Sequence, residues 1–269
     1  MDEFHKIPLT SIAKTLARFM DIEPPEYAVT EIDGLYDKLI KEIDGAAFDR
    51  VVVFNPDAIG RWIYEKYEAK FAPVLKYAPH TVNMLSMIPP KTPVCFASIY
   101  TGATPEQHGI TRYEKPVVKI DSLFDALIRA GKKCCIVSVA NQSMDLIFRG
   151  KAMDYYSLPY DGEAVEKAIG LIKEDKYDFM AVYVQEYDDK MHRSNPRSPW
   201  SLKAIDHYSQ QFESLAEAIK KYYAKHDTLL AYMPDHGVHL EWYLLGNHGK
   251  NIPKDMNVVH FYGAFPKQK

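Results

Sequence analysis

Nothing in this chain of 269 residues is extreme, and each shortage excludes a class of protein. Cysteine is scarce: Cys95 and the adjacent pair Cys134-Cys135 make an odd number, and the pair sits in an apolar run. That suits reduced core thiols better than a disulfide framework. Positive charge is not in excess, with 33 Lys and Arg against 36 Asp and Glu and a net charge of −3. A protein that neutralises nucleic-acid phosphates needs a dense basic face, so no nucleic-acid polymer is expected as a partner. No run of six like charges marks an acidic or basic tail. No stretch approaches the ~18 apolar residues of a membrane-spanning helix. The opening residues Met1-Asp2-Glu3-Phe4-His5-Lys6 begin acidic and lack a signal peptide's apolar segment. These absences lead to the expectation of a soluble, cytoplasmic chain with no membrane partner.

What is present is enough apolar area to fold. The 19 Tyr, 12 Phe and 3 Trp exclude disorder, and a chain of this length buries roughly three quarters of its unfolded surface without staples. No internal repeat or low-complexity linker divides it, which predicts one catalytic α/β domain over 1–269. Residues 1–48 are expected to be a helical extension packed on that domain. Two amphipathic helices are expected in 6–45, separated by Glu23-Pro24-Pro25-Glu26. Beyond them, the apolar runs Val51–Phe54, Cys134–Val139, Phe179–Val184, Thr228–Met233 and Val258–Phe265 alternate with helical patterns near 61–70, 121–131, 162–174 and 200–224. Ser122 with Asp125 has the form of a helix start, and Gly131 of a helix stop. Continuous apolar strands separated by helices predict a three-layer α/β/α sandwich around a central, mainly parallel sheet. In such sheets the chemistry lies beyond the C-terminal ends of the strands.

Three of the runs end in acid-bearing turns: Asn55-Pro56-Asp57, Gln185-Glu186-Tyr187-Asp188 and Pro234-Asp235-His236-Gly237. A parallel sheet brings these carboxylates to one edge. Any one of them could be a turn former; three together, two with a nearby histidine, indicate a metal site. Asp188 and His192 share one face of a helical turn. Asp235 and His236 are adjacent, so in an extended segment they point in opposite directions and suit a turn between two ions, for which Gly237 leaves room. His248 lies in the glycine-flanked loop Gly246-Asn247-His248-Gly249. Asp and His donors suit zinc or a similar first-row metal better than calcium. In Lys91-Thr92-Pro93, the threonine precedes a buried-helix pattern over Val94–Tyr100. It is therefore read as a helix N-cap, as a metal-activated nucleophile, or as both.

From Lys91-Thr92-Pro93-Val94-Cys95-Phe96-Ala97-Ser98-Ile99-Tyr100-Thr101-Gly102 to Pro105-Glu106-Gln107-His108-Gly109-Ile110, the sequence resembles the nucleophile block of the alkaline phosphatase superfamily. Within it, the similarity is to the nucleotide pyrophosphatase/phosphodiesterase branch. Asp57, Asp188-x-x-x-His192, Asp235-His236-Gly237 and His248-Gly249 follow in the order of that branch, framing most of residues 50–265. The resemblance implies two divalent ions, zinc first and manganese or another first-row metal as alternatives. One would be held by Asp188, His192 and His248, the other by Asp57, Asp235, His236 and Thr92. It further implies hydrolysis of a phosphate diester or pyrophosphate through a phospho-threonine intermediate on Thr92. The substrate would be a small phosphate ester or nucleotide, met at position 95; Lys91 either contacts a substrate phosphate or is a solvated lysine beside Thr92. Two departures stand out. Cys95 replaces the Asn usual three residues after the nucleophile, which puts the substrate class in question. Only 42 residues separate His192 from Asp235 and 11 separate His236 from His248, leaving no room for large capping insertions. The alternatives are a phosphomonoesterase, a phosphonate or sulfate hydrolase, or a non-catalytic metal-stabilised binding protein.

Other residues have plainer readings. His108 is expected in a structural hydrogen bond, His260 as a satisfied core histidine, and His239 either beside the metal ligands or in an exposed loop. Asp189 rivals Asp188 as ligand but lacks its spacing to His192. Arg61 and Trp62 either line the site or begin a helix.

Overall fold

The computed structural model describes residues 3–268; Met1 and Asp2, where the N-terminal reading began, lie outside them. Its strands are β1 (Ile7–Pro8), β2 (Arg50–Pro56), β3 (His80–Leu85), β4 (Cys134–Val139), β5 (Asp154–Leu158), β6 (Phe179–Val184), β7 (Thr228–Tyr232), β8 (His239–Leu240), β9 (Gly246–Asn247) and β10 (Asn257–Phe265). All but the β8–β9 hairpin form one eight-stranded sheet in the order β1-β3-β10-β7-β2-β6-β4-β5. Within this sheet every pairing is parallel except those of β10, which runs against both β3 and β7.

The strand residues are buried on both faces, which is why they read as continuous apolar runs. Val51, Val53, Ile136, Ala181 and Leu229 pack with the helices Ile12–Phe19, Thr92–Thr101 and Leu123–Arg129. Their strand neighbours Val52, Phe54, Val137, Val182 and Leu230 pack on the opposite face with Asp161–Glu174 and Pro199–Tyr222. Each of these Val, Ile, Leu and Phe side chains contributes about 1.5–3 kcal/mol by leaving water. The arrangement is the expected α/β/α sandwich.

Local signals held at several helix ends. The Ser122 N–H donates to Asp125 Oδ2 at 2.9 Å at the start of Leu123–Arg129. Gly131 adopts a left-handed φ of 71° after that helix. Elsewhere the structure differs from the sequence expectation. The second N-terminal helix is only Leu35–Leu39, followed by a 3-10 turn. The pattern at 61–70 breaks into Arg61–Lys66 and a 3-10 turn, and Pro73 near the start of Ala72–Tyr77 begins a new helix. β3 and β5 have no apolar run: β3 alternates polar and apolar residues, and β5 is the outermost strand with half-exposed residues. No helix among the described residues is long and apolar enough to cross a membrane.

Candidate metal centre

The sheet topology delivers the carboxylates to one edge. β2 runs into Asp57, and its parallel neighbour β7 runs on to Asp235 and His236. On the other side of β2, β6 leads into the helix Glu186–Arg193, which carries Asp188 and His192. β3 ends at this edge too and leads into Thr92–Thr101, so an unread strand is what brings Thr92 to the carboxylates. The Asp57 N–H donates to Val184 O at 2.9 Å, tying the β2 and β6 ends together. Ala58 takes a left-handed φ of 69°, a conformation that costs a non-glycine residue about 1–2 kcal/mol. Its N–H then donates to Asp235 Oδ1 at 3.2 Å.

Two groups of donors result: Asp57 with Asp235 and His236, and Asp188 with His192 and His248. Within each, one ligand atom per residue lies within 4.8 Å of the others. His236 Nε2 is 3.5 Å from Asp57 Oδ1 and 3.3 Å from Asp235 Oδ2. Asp188 Oδ1 is 3.4 Å from His192 Nε2 and 3.5 Å from His248 Nε2. The expectation that Asp235 and His236 sit between two ions is corrected here. Both side chains enter one group with Asp57.

The hydrogen bonds around the rings fix which nitrogen faces inward. His192 donates from Nδ1 to Gly246 O at 3.1 Å, His248 to Pro90 O at 2.9 Å, and His236 to Gly237 O at 3.1 Å. A carbonyl only accepts, so each Nε2 presents a lone pair to the centre, the arrangement typical of metal-bound imidazole. The buried oxygens Asp57 Oδ1, Asp188 Oδ1 and Asp235 Oδ2 find no hydrogen-bond donor. Acceptors converging on acceptors away from water are costly. A divalent cation in each group would supply the missing positive charge, so the residues fit the two ions implied by the resemblance. Titration behaviour agrees. Burial, and then the charges of Asp235 and Asp188, raise Asp57 well above the ordinary carboxylate range. Burial raises Asp235 as well. Burial also opposes the charge on Asp188, but His192, His248 and His236 outweigh it and hold that carboxyl at about 2.

Thr92 occupies the first turn of its helix, but Lys91 holds the cap position and the Thr92 hydroxyl caps nothing. It donates instead to Asp57 Oδ2 at 3.4 Å and lies 3.3 Å from His236 Nε2. Tyr183, on β6, donates its hydroxyl to the same Asp57 Oδ2. Sequence reasoning missed it because a tyrosine inside an apolar strand run looks like core. The strand alternation, which sets Tyr183 on the same face as Ala181 and the Thr92 helix, was the available signal.

Position 95 lies behind this edge, joined to Asp235 through Ser86, whose hydroxyl donates to Asp235 O at 2.7 Å. Cys95 is fully buried in the core, its Sγ 3.2 Å from Ser86 Oγ, and burial pushes the thiol's pKa far up. The expected contact between Cys95 and a substrate oxygen does not fit this placement. Lys91 is half-buried and donates from Nζ to His248 O at 2.7 Å; burial lowers its pKa. Asp189 stays outside both groups and accepts from Gln185. His108 lies 2.9 Å from Ser98 Oγ and accepts the Ile110 N–H, a structural role as read. His260 is buried and donates to Pro234 O at 2.8 Å. Arg61 begins a helix, pairs with Glu65 and contacts His5. His239 is not an exposed loop residue: it is buried between Asp255 and Glu241.

Comparison with known proteins follows the same lines. The family described as Type I phosphodiesterase / nucleotide pyrophosphatase matches residues 50–127. Ectonucleotide pyrophosphatase/phosphodiesterase family member 3 of Mus musculus is 25% identical over 186 residues, 59% of this chain, and its Rattus norvegicus counterpart is 24% identical over 191. The chain spans about a fifth (21%) of the length of these curated relatives. Human ectonucleotide pyrophosphatase/phosphodiesterase 5 superposes with a TM-score of 0.61 at 15% identity, covering 80% of this chain and 87% of that one. An inactive threonine-to-alanine variant of the murine protein, in complex with AMP, gives the same score at 81% and 88% coverage. A 2-O GAG sulfatase gives 0.57 at 12% identity, over 80% and 64% of the two chains. Profile, relatives and fold agree that this chain resembles the nucleotide pyrophosphatase/phosphodiesterase branch of the alkaline phosphatase superfamily.

Proposed function

We propose that this chain is a two-metal phosphoric ester hydrolase of the phosphodiesterase/nucleotide pyrophosphatase type, with Thr92 as nucleophile. The observation that carries the reading is the placement of Thr92 Oγ1 against Asp57 and His236, where three unpartnered carboxylate oxygens and three imidazole lone pairs converge. Asp57, Asp235, His236 and Thr92 would hold one ion, and Asp188, His192 and His248 the other. Zinc is the first choice and manganese the nearest alternative. When bound, such ions lower a hydroxyl's pKa and neutralise charge on the entering and leaving oxygens.

The chain's own groups define the rest. The Thr92 hydroxyl proton already points at Asp57 Oδ2, a carboxylate whose buried, like-charged setting raises its proton affinity. The alkoxide oxygen attacks phosphorus, the Thr92 Oγ1–P bond forms and the bond to the leaving oxygen breaks, giving phospho-threonine. Water then cleaves that ester and returns Thr92. Of the first helical N–H groups of Thr92–Thr101, Pro93 supplies none and Cys95 donates to Lys91 O, which leaves those of Thr92 and Val94 at the helix N-terminus, an end that favours negative charge. The AMP bound by the murine relative supports a nucleotide among the candidate substrates. Turnover of bis-p-nitrophenyl phosphate against p-nitrophenyl phosphate by zinc-loaded protein tests the reading. Diester preference supports it, monoester preference moves the substrate class, and no turnover of either by protein holding two ions overturns it.

A further inference from the structure

The reversal of β10 has a local consequence at this edge. Because β10 runs antiparallel, its N-terminal end lies beside the C-terminal ends of β3 and β7. The one-turn helix Pro253–Met256 that precedes it therefore reaches the donor groups, and with it comes Asp255, a carboxylate with no exposed surface. Asp255 belongs to neither donor group. His239 donates from Nδ1 to Asp255 Oδ1 at 2.8 Å, and the Lys250 N–H donates to Asp255 Oδ2 at 2.9 Å. The Asp255 carbonyl accepts the Gly237 N–H at 2.7 Å.

Those three anchors lie on one loop, two near its start and one at its end. Gly237 follows His236, Lys250 lies two residues after His248, and His239 opens the hairpin between them. That hairpin has only two residue pairs, His239 with Asn247 and Leu240 with Gly246, too few to hold a register unaided. From His239 the chain of contacts continues outward. Nε2 lies 3.0 Å from Glu241 Oε1, and Lys250 Nζ donates to Glu241 at 2.9 Å, returning to the residue whose N–H is held by Asp255. The loop is also pressed inward: a Cβ at Gly237 would stand 2.0 Å from Lys254 O. His236 and His248 themselves meet ring on ring, centroids 4.0 Å apart, although they serve different donor groups.

We infer that Asp255, acting through His239 and the Lys250 N–H, is the positioning residue that sets the two ion sites relative to each other. It does so by fixing both ends of the loop that carries His236 and His248. The inference rests on the reading of the two donor groups as ion sites.

The test is zinc affinity at each site, measured on the full chain by competition with a chromophoric chelator, with cobalt absorption spectra as a second readout. The stability of the metal-free protein is measured in parallel. Outer partners of metal-bound histidine are typically worth about 10–100-fold in affinity. Asp255→Asn, which leaves one carbonyl to accept from His239 and removes the charge, is expected to weaken both sites by about 10-fold. Asp255→Ala should weaken them further, with altered cobalt spectra. Glu241→Gln, at the partly exposed outer end, should weaken them severalfold and keeps the question answerable if Asp255 variants fail to fold. Folded Asp255 variants with wild-type affinity and spectra at both sites, whatever their stability, would overturn the inference; so would an unchanged Glu241→Gln where Asp255 variants do not fold. Wild-type protein that binds no zinc would instead overturn the underlying reading of the sites.

Discussion

The rings of His236 and His248 stack at 4.0 Å with their planes 18° apart, one from each donor group. Each ring is fixed from behind by an Nδ1–H to a backbone carbonyl, so the stack joins two half-sites into one centre. The three buried carboxylates around it find no donors of their own for Asp57 Oδ1, Asp188 Oδ1 and Asp235 Oδ2.

Zinc should therefore stabilise the fold as well as serve chemistry. With free zinc at about one hundred times Kd, each site contributes about 2.7 kcal/mol. Chelation should lower Tm, and His248→Ala should reduce the stoichiometry from two ions to one. Calorimetry with metal analysis checks both. A Tm indifferent to chelator, in protein shown to lose metal, would contradict the site.

Tyr183→Phe removes the hydroxyl that donates to Asp57 Oδ2 and leaves the aromatic packing against Phe96 in place. Loss of one donor to a buried carboxylate should cost about 1–3 kcal/mol. Zinc affinity at the Asp57 site should fall, and the Asp188 site should be unaffected. Urea unfolding and zinc competition separate the two effects.

Acid should destabilise the protein partly through His260. Its folded pKa is pushed from 6.5 to about 4 by burial. The unfolded chain takes up this proton below 6.5 and the native state resists until about 4, so stability is lost as pH falls through that window. One pKa unit is worth about 1.4 kcal/mol, giving about 3 kcal/mol at pH 4. Denaturation of metal-free wild type and His260→Gln at pH 7 and pH 4 isolates the contribution. The difference between the two proteins should shift in favour of the variant by that amount, and a constant difference would exclude it.

Much of this was legible because buried parallel strands announce themselves. β2, β4, β6 and β7 are apolar on both faces, and the ends of β2, β6 and β7 lead into the acids. Asp188 with His192 was legible through helical spacing. β3 was not, because polar residues alternate through it, yet it is the strand that delivers Thr92. The direction of β10 leaves no mark in composition, so Asp255 could not be foreseen, and of the two readings of His239 nothing favoured the buried one. Cys95 was placed by its motif position, but the core closes over it beside Ser86.

The most direct measurement concerns Thr92. Its hydroxyl does not cap its helix but donates to the same buried Asp57 carboxylate as Tyr183, so the stability cost of Thr92→Ala is that of a lost donor, at most about 1–3 kcal/mol. With the attacking oxygen gone, turnover of bis-p-nitrophenyl phosphate should fall by about a thousandfold or more at matched zinc loading. Thr92→Ser should retain measurable turnover. A rapid acid quench of wild type with phosphorus-labelled diester should trap label on the peptide containing Thr92, and the alanine variant should trap none. Near wild-type turnover by Thr92→Ala with both ions bound, or label trapped on another residue, would contradict the account.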